Sequence, residues 1–224
     1  MKHRIVGELM THAVVHVRPD TGFKEIARLL AEHDITSVPV LDRDDRPLGL
    51  VSEADLLLNE AAQEDPTGLL LTPALPPRDS ARSRATTARG LMTSPAVCAR
   101  PEWTVVEAAR LMQARGLKRL PVVDEAGRLI GIVSRSDLLR VFLRHDRAIG
   151  EEIRQDVLDR TLGLSPDGVD VQVKDGRVTL TGTVERRALV SVVERLCRSV
   201  DGVVDVTCRL GHRTDESAAP HPAR

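Results

Sequence analysis

The sequence predicts a mixed α/β (α+β) protein: one β-α-β-β-α unit folded twice, then a smaller α-β-β-α-β unit. Three observations predict it. Residues 19–57 read again, without a gap, as residues 101–139 at an offset of 82. Carried back to Leu9 and Leu91, the match holds roughly 20 identities in 49 aligned positions, far above chance for a fixed offset. Both copies close on the same phrase, Gly49-Leu-Val-Ser52-Glu-Ala-Asp55 and Gly131-Ile-Val-Ser134-Arg-Ser-Asp137. After His145 the periodicity changes to alternating valines punctuated by Asp-Gly turns. A gapless repeat implies two copies packed on each other about a pseudo-two-fold axis.

The elements of each copy follow in one order. Val14-Val15-His16-Val17 is a short β-branched strand closed by Pro19. Phe23, Ile26, Ala27, Leu29 and Leu30 recur at helical spacing, with Lys24, Glu25, Arg28 and Glu32 on the opposite face. Thr104-Val-Val-Glu107 caps the equivalent helix of the second copy as a capping box, whereas the first copy has Gly22 there. The strands Val38–Leu41 and Leu48–Val51 flank a polar turn. A second helix starts after Ser52, and its counterpart is expected from Asp137 to about His145.

Between the copies lies a stretch rich in proline and arginine, with Arg78, Arg82 and Arg84 and only Leu69–Leu71 as an apolar run. Residues 63–86 read as a flexible surface linker; the alternative is a regulatory arm whose arginines reach an anion site. Ile149, Ile153, Val157, Leu158 and Leu162 then mark one helix. Val169, Val171 and Val173 lead through Asp175-Gly176, a hairpin signal, to Val178, Leu180 and Val184, with Gly182 in the inward register. A helix through Leu189–Val200 and a strand Val203–Leu210 complete the third unit. The expected domains are residues 1–62, 87–145 and 146–211, followed by a disordered tail, 212–224.

Composition excludes several functions. With 32 basic and 33 acidic side chains there is no net field to hold a nucleic acid backbone, and two Phe, one Trp and no Tyr leave no base-stacking platform. No nucleic acid partner is expected. Cys98, Cys197 and Cys208 form no C-x-x-C pair, which favours a reducing, cytoplasmic setting. Neither a signal peptide nor a membrane-length apolar run is visible. His12, His16, His33 and Cys98 offer no zinc-like spacing, so no metal site is expected. No nucleophile elbow, P-loop or dinucleotide fingerprint is present, and a catalyst is not expected.

The repeated phrase carries the chemistry. Ser52 or Ser134 opens a helix and the Asp falls in its first turn. Unpaired N–H groups there welcome a phosphate beside the hydroxyl, and a carboxylate one turn on can take the two hydroxyls of a ribose. Glycine lets a ligand approach the backbone. Ser-x-x-Asp is equally a capping box with Asp in place of Glu, and capping and binding are compatible in one serine.

Both copies resemble CBS domains, the repeats that pair into a Bateman module. The likeness rests on Leu9-Met10 and Leu91-Met92, the Val-Pro-Val and Leu-Pro-Val strands and both closing phrases. It implies a nucleotide in each of two clefts between the repeats, with Ser52 and Ser134 meeting phosphate and Asp55 and Asp137 meeting ribose. His16, Val17, Thr36, Ser37, Val38 and Pro39 would line one base pocket. Cys98, Ala99, Lys118, Arg119, Leu120 and Pro121 would line the other. The implied regulatory ligand is AMP, ADP or ATP, with S-adenosylmethionine also admitted and no cofactor required. Residues 146–211 resemble a BON domain through Gly176-Arg-Val-Thr-Leu-Thr-Gly182 and Val200-Asp-Gly202, which implies a phospholipid surface or another hydrophobic partner. The expected function is a homodimeric adenine-nucleotide sensor that signals to a protein partner through the BON-like unit. The alternative is a non-catalytic dimeric adaptor or membrane-proximal interaction protein. Thr36, Ser37 and Glu53 become Lys118, Arg119 and Arg135, so the second site is expected to favour more highly phosphorylated ligands.

Overall fold

The computed structural model describes residues 3–62, 82–165 and 168–214. They form two compact units, Ile5–Asp137 and Leu138–Arg224 with Met1–Arg4.

In the first unit, the first copy runs α1 (Val6–Leu9), α2 (Phe23–Glu32), β1 (Ser37–Leu41), β2 (Pro47–Ser52) and α3 (Glu53–Ala61). The second runs α4 (Ala88–Leu91), α5 (Val105–Arg115), β3 (Arg119–Val123), β4 (Leu129–Ser134) and α6 (Arg135–Leu139). Helix α2 buries Ile26 and Leu30 against Val38, Val40, Val51 and Leu56. The capping box of α5 forms as expected. Glu107 Oε2 accepts from the Thr104 amide at 2.7 Å, and Thr104 Oγ1 accepts from the Glu107 amide at 3.3 Å.

Each strand pair is an antiparallel hairpin with the same register, Ser37 opposite Ser52 and Arg119 opposite Ser134. The expected first strand shrinks to a single parallel bridge, Val17 to Val40 and Ala99 to Val122. Pro19 and Pro101 lie two residues on, and a residue without an N–H cannot extend the ladder.

The pseudo-two-fold is written in the cross-copy hydrogen bonds. Thr11 N–H donates to Ile132 O at 2.9 Å, and its counterpart Thr93 donates to Leu50 O at 2.8 Å. Val6 donates to Trp103 O and Ala88 to Thr21 O, again a pair exchanged by the offset of 82. Such reciprocity is what an isologous contact requires.

Three boundaries differ from expectation. Residues 63–81, including Leu69–Leu71, lie outside the described residues, but 82–86 are packed. Asn59 Nδ2 donates to Ser83 O at 2.7 Å, Phe23 donates to Thr86 O at 2.9 Å, and Ser83 is buried. Helix α6 stops at Leu139, where Arg140–Leu143 tightens into a 3₁₀ turn that buries Val141. The last strand reaches Thr214, into the expected tail, because β6 is ten residues long and supplies a partner as far as Arg186.

The second unit packs α7 (Asp146–Glu152) and its wider π-type continuation, Ile153–Thr161, with α8 (Arg187–Arg198) and a sheet. The sheet order is β5 (Val169–Lys174), β6 (Arg177–Arg186), β7 (Asp205–Thr214), with β5–β6 antiparallel and β6–β7 parallel. Ile149, Ile153, Val157, Val171, Leu180, Val193 and Cys197 belong to its core. Burial, with Cys208 adding, pushes the Cys197 thiol up to about 12. Asp175 and Gly176 turn the hairpin with φ of 50° and 71°, as the Asp-Gly pair predicts. Gly182 keeps the register of Leu180 and pairs with the buried Val169. It is exposed at φ 125°, and a Cβ there would stand 2.3 Å from Gly168 O.

Candidate functional site

The two phrases build the same local object. The register places Ser52 and Ser134 at strand ends, and the chain then turns into a helix. Asp55 Oδ2 accepts from the Ser52 amide and from its hydroxyl, both at 2.8 Å. Asp137 Oδ2 accepts from the Ser134 amide at 2.9 Å and from its hydroxyl at 2.6 Å. Capping is therefore realised in both copies. Each serine spends its hydroxyl proton on the carboxylate, so a phosphate would have to draw that proton away or use backbone N–H groups. Helix α3 has nine residues and α6 only five, so the dipole argument is weaker at the second phrase.

The glycine of the phrase has a different reason from the one expected. A Cβ on Gly49 would meet Thr93 O at 2.6 Å and Met92 Sδ at 2.9 Å; one on Gly131 would meet Met10 Sδ at 2.4 Å. The close approach seen in the structure is made by the leader of the other copy, through the Leu50–Thr93 and Thr11–Ile132 bridges.

Around the carboxylates the copies diverge. Asp55 is buried, and Arg82 Nη2 donates to its Oδ1. The same nitrogen reaches Leu91 O at 2.7 Å and Thr93 Oγ1 at 3.0 Å, while Arg82 Nε is buried without a partner among the described residues. At the second phrase, Ser136 Oγ lies 2.7 Å from Ser134 Oγ. Arg119 stands opposite Ser134 and crosses to donate to Thr36 Oγ1 of the first copy. Burial lowers its pKa, opposed by the charges of Asp137 and Glu53. The positive charge gained by the second copy is therefore delivered partly to the first, which corrects the expected division of charge between the sites.

The remaining candidates fall into two groups. Val17, Val38, Pro39, Ala99, Leu120 and Pro121 are buried in the strand layer and shape it; they present no open side-chain surface. Both pre-strand residues hold local carbonyls, His16 Nδ1–H to Val14 O at 3.1 Å and the Cys98 thiol to Ala96 O at 3.9 Å. Burial raises the Cys98 pKa, with Arg100 opposing. Thr36 and Lys118 are exposed at the phrase ends of their strands. Ser37 is 6 % exposed and its hydroxyl has no partner. A cleft of about 540 Å³, lined by Ala27, Leu30, Ile35 and Leu56 with Thr36 and Glu53, opens beside the first phrase.

Sequence reasoning placed Arg82 only among three linker arginines; its signal was the arginine-rich composition of that stretch. Ser136 was legible only as the middle of Ser134-Arg-Ser-Asp.

The CBS domain model matches residues 6–61 and 88–144, and the BON domain model matches 145–211. An uncharacterized protein of Methanopyrus kandleri is 31 % identical over 156 residues, covering 69 % of this chain and 71 % of that protein. The chloroplastic CBS domain-containing protein CBSX1 of Arabidopsis thaliana is 31 % identical over 157 residues, covering 64 % and 66 %. Among solved structures, CBSX2 in complex with AMP aligns with a TM-score of 0.54 at 30 % identity, covering 62 % of this chain and 97 % of that one.

Proposed function

The chain belongs to the CBS-domain family, with a BON domain behind its CBS pair, and from that premise we propose that it is a regulatory protein that binds an adenine nucleotide. The observation that carries the reading is the pair of matched Ser-Asp constellations, Ser52 with Asp55 and Ser134 with Asp137, each with one carboxylate oxygen committed to the cap. The other oxygen is the one that would meet ribose, with phosphate beside the serine. The likeness to CBSX2, which was solved with AMP, makes AMP the first ligand to test.

The role is binding and not catalysis. In both phrases the serine hydroxyl donates to a carboxylate that also holds backbone, the arrangement of a helix cap. Ligand state would pass to a partner through the BON domain. Where the second CBS repeat runs into it, Phe142 and Leu143 are 51 % and 78 % exposed and Val204 is 60 % exposed, around a small hollow that Arg144, His145, Asp146 and Asp175 also line, a mixed face suited to a protein or lipid surface. Among the described residues no helix is long and apolar enough to cross a membrane. The proposed setting is the cytoplasm, in keeping with three free cysteines.

The second reading is a dimeric adaptor whose CBS pair is structural. It draws on the exposure of Leu57 and Leu139, at 63 % and 60 %, on the helices that follow the two phrases. Calorimetry with AMP, ADP, ATP and S-adenosylmethionine, beside light scattering, tests both. Saturable binding lost stepwise in Asp55→Ala and Asp137→Ala supports the sensor. A dimer indifferent to all four compounds supports the adaptor.

A further inference from the structure

The last residues of the segment between the copies do not simply connect them. Arg82 enters beside the first phrase and its Nη2 donates to Asp55 Oδ1, the oxygen that the capping box leaves over. Three further contacts fix the approach: Leu91 O and Thr93 Oγ1 on the same nitrogen, and Asn59 Nδ2 on Ser83 O. Side-chain exposures of 27 % for Arg82 and 11 % for Asp55 put the ion pair largely out of water.

We propose that Arg82 is an internal competitor at the first site: it holds the carboxylate oxygen that ligand hydroxyls would use, so ligand enters only when residues 82–84 swing away. This rests on the reading of Asp55 as a ligand-facing group. A guanidinium donor to a carboxylate makes a stronger bond than a neutral hydroxyl does, so a ribose cannot displace it without further contacts from the rest of the ligand. The closed arrangement also carries a fault. Among the described residues Arg82 Nε is buried with no acceptor, and an unmet donor weakens the state that contains it. A strong contact beside an unsatisfied one is a latch that can hold and can be released. The second phrase is built otherwise: its facing arginine, Arg119, comes from β3 of its own copy and is anchored on Thr36. Filling of the first site therefore frees the 82–84 turn.

The test is calorimetric titration of AMP into the full chain carrying Asp137→Ala, so that the heat reports the first site, with and without Arg82→Ala. Removing the competitor should tighten AMP about tenfold, since apparent affinity scales with the fraction of open sites. Arg82→Lys should fall between, because lysine keeps the charge but cannot span Asp55, Leu91 and Thr93 together. In the parent chain, saturating AMP should speed hydrogen exchange at the Ala85 amide, which donates to Arg82 O at 3.0 Å. Unchanged or weaker AMP binding in Arg82→Ala overturns the proposal. If that variant does not fold, Arg82→Lys and the exchange measurement decide, and an Ala85 amide equally protected with AMP overturns it too. A parent chain that takes up no AMP overturns the nucleotide reading itself. AMP uptake with an affinity indifferent to Arg82 overturns the competitor alone.

Discussion

The two copies of Gly-x-Val-Ser-x-x-Asp close on the same capping box yet meet different arginines. Asp55 holds Arg82, which comes from the segment between the copies, whereas Asp137 faces Arg119 from its own repeat. The cap spans three residues, so seven letters of sequence suffice to specify it. The counter-charge arrives from far along the chain, and nothing in the seven letters encodes it. Identical motifs thus guarantee identical local geometry and leave the electrostatic setting open.

The largest test of this contrast is steric. A Cβ on Gly49 meets a backbone oxygen, Thr93 O, at 2.6 Å, whereas the two nearest atoms to one on Gly131 belong to the flexible Met10 side chain and the backbone oxygen, Thr11 O, stands off at 3.1 Å. Gly49→Ala should cost about 3 kcal/mol and Gly131→Ala about 1 kcal/mol, because the closest contacts of the second can be relieved by a rotamer change and a few tenths of an ångström. The sole tryptophan, Trp103, lies in this unit, so its fluorescence in urea reads both variants. Equal losses would erase the distinction.

Next in size, Asp55→Ala should cost about 2 kcal/mol, since it unpairs a largely buried Arg82 as well as the cap, and Asp137→Ala about 1 kcal/mol. Midpoints from the same urea titration check the difference. If Arg82→Ala abolishes it, the ion pair is its source; if the difference survives, the cap geometry is.

The helices that precede the strands repeat the lesson at lower energy. Thr104→Ala should cost about 1 kcal/mol through loss of its cap. At the matching position Gly22 has φ −76° and open space where a Cβ would stand, so Gly22→Ser should stabilise by about 0.5 kcal/mol. Thermal melts of the two variants should move in opposite directions.

The smallest effect is a pH dependence confined to the second copy. Hydrogen bonds from the Thr104 amide and hydroxyl lower the Glu107 pKa below its ordinary 4.5. A depressed folded value means that its stabilisation is present above the unfolded pKa and is lost as pH falls through the folded one. Glu107→Gln should therefore flatten the acid limb of stability below pH 4.5, and an unchanged limb would assign it to other carboxylates.

Much of the architecture was legible. The repeat announced two equivalent units, and Asp175-Gly176 and Thr104–Glu107 delivered the hairpin and the cap that their local chemistry demands. Less legible were features that depend on a partner remote in sequence. Gly49 read as room for a ligand, and nothing in the phrase announced that the Met92–Thr93 leader of the other copy also needs that room. Gly182 read as an inward position, which the register keeps, but the tight approach of Gly168 O to it was not announced. The gain of Lys118, Arg119 and Arg135 read as one site becoming more basic, but Arg119 reaches Thr36 across the pair.

By itself, the sequence determined the repeat, the hydrophobic faces of its helices, its turns and both Ser-Asp caps, because each depends on residues within one or two turns of one another. Only the tertiary structure decided which arginine meets which carboxylate, and why the phrase must begin with glycine. Those depend on two chain segments brought within hydrogen-bond or van der Waals distance by the pseudo-two-fold packing. A period of 82 residues implies that such packing exists, but it does not say which atoms it brings together.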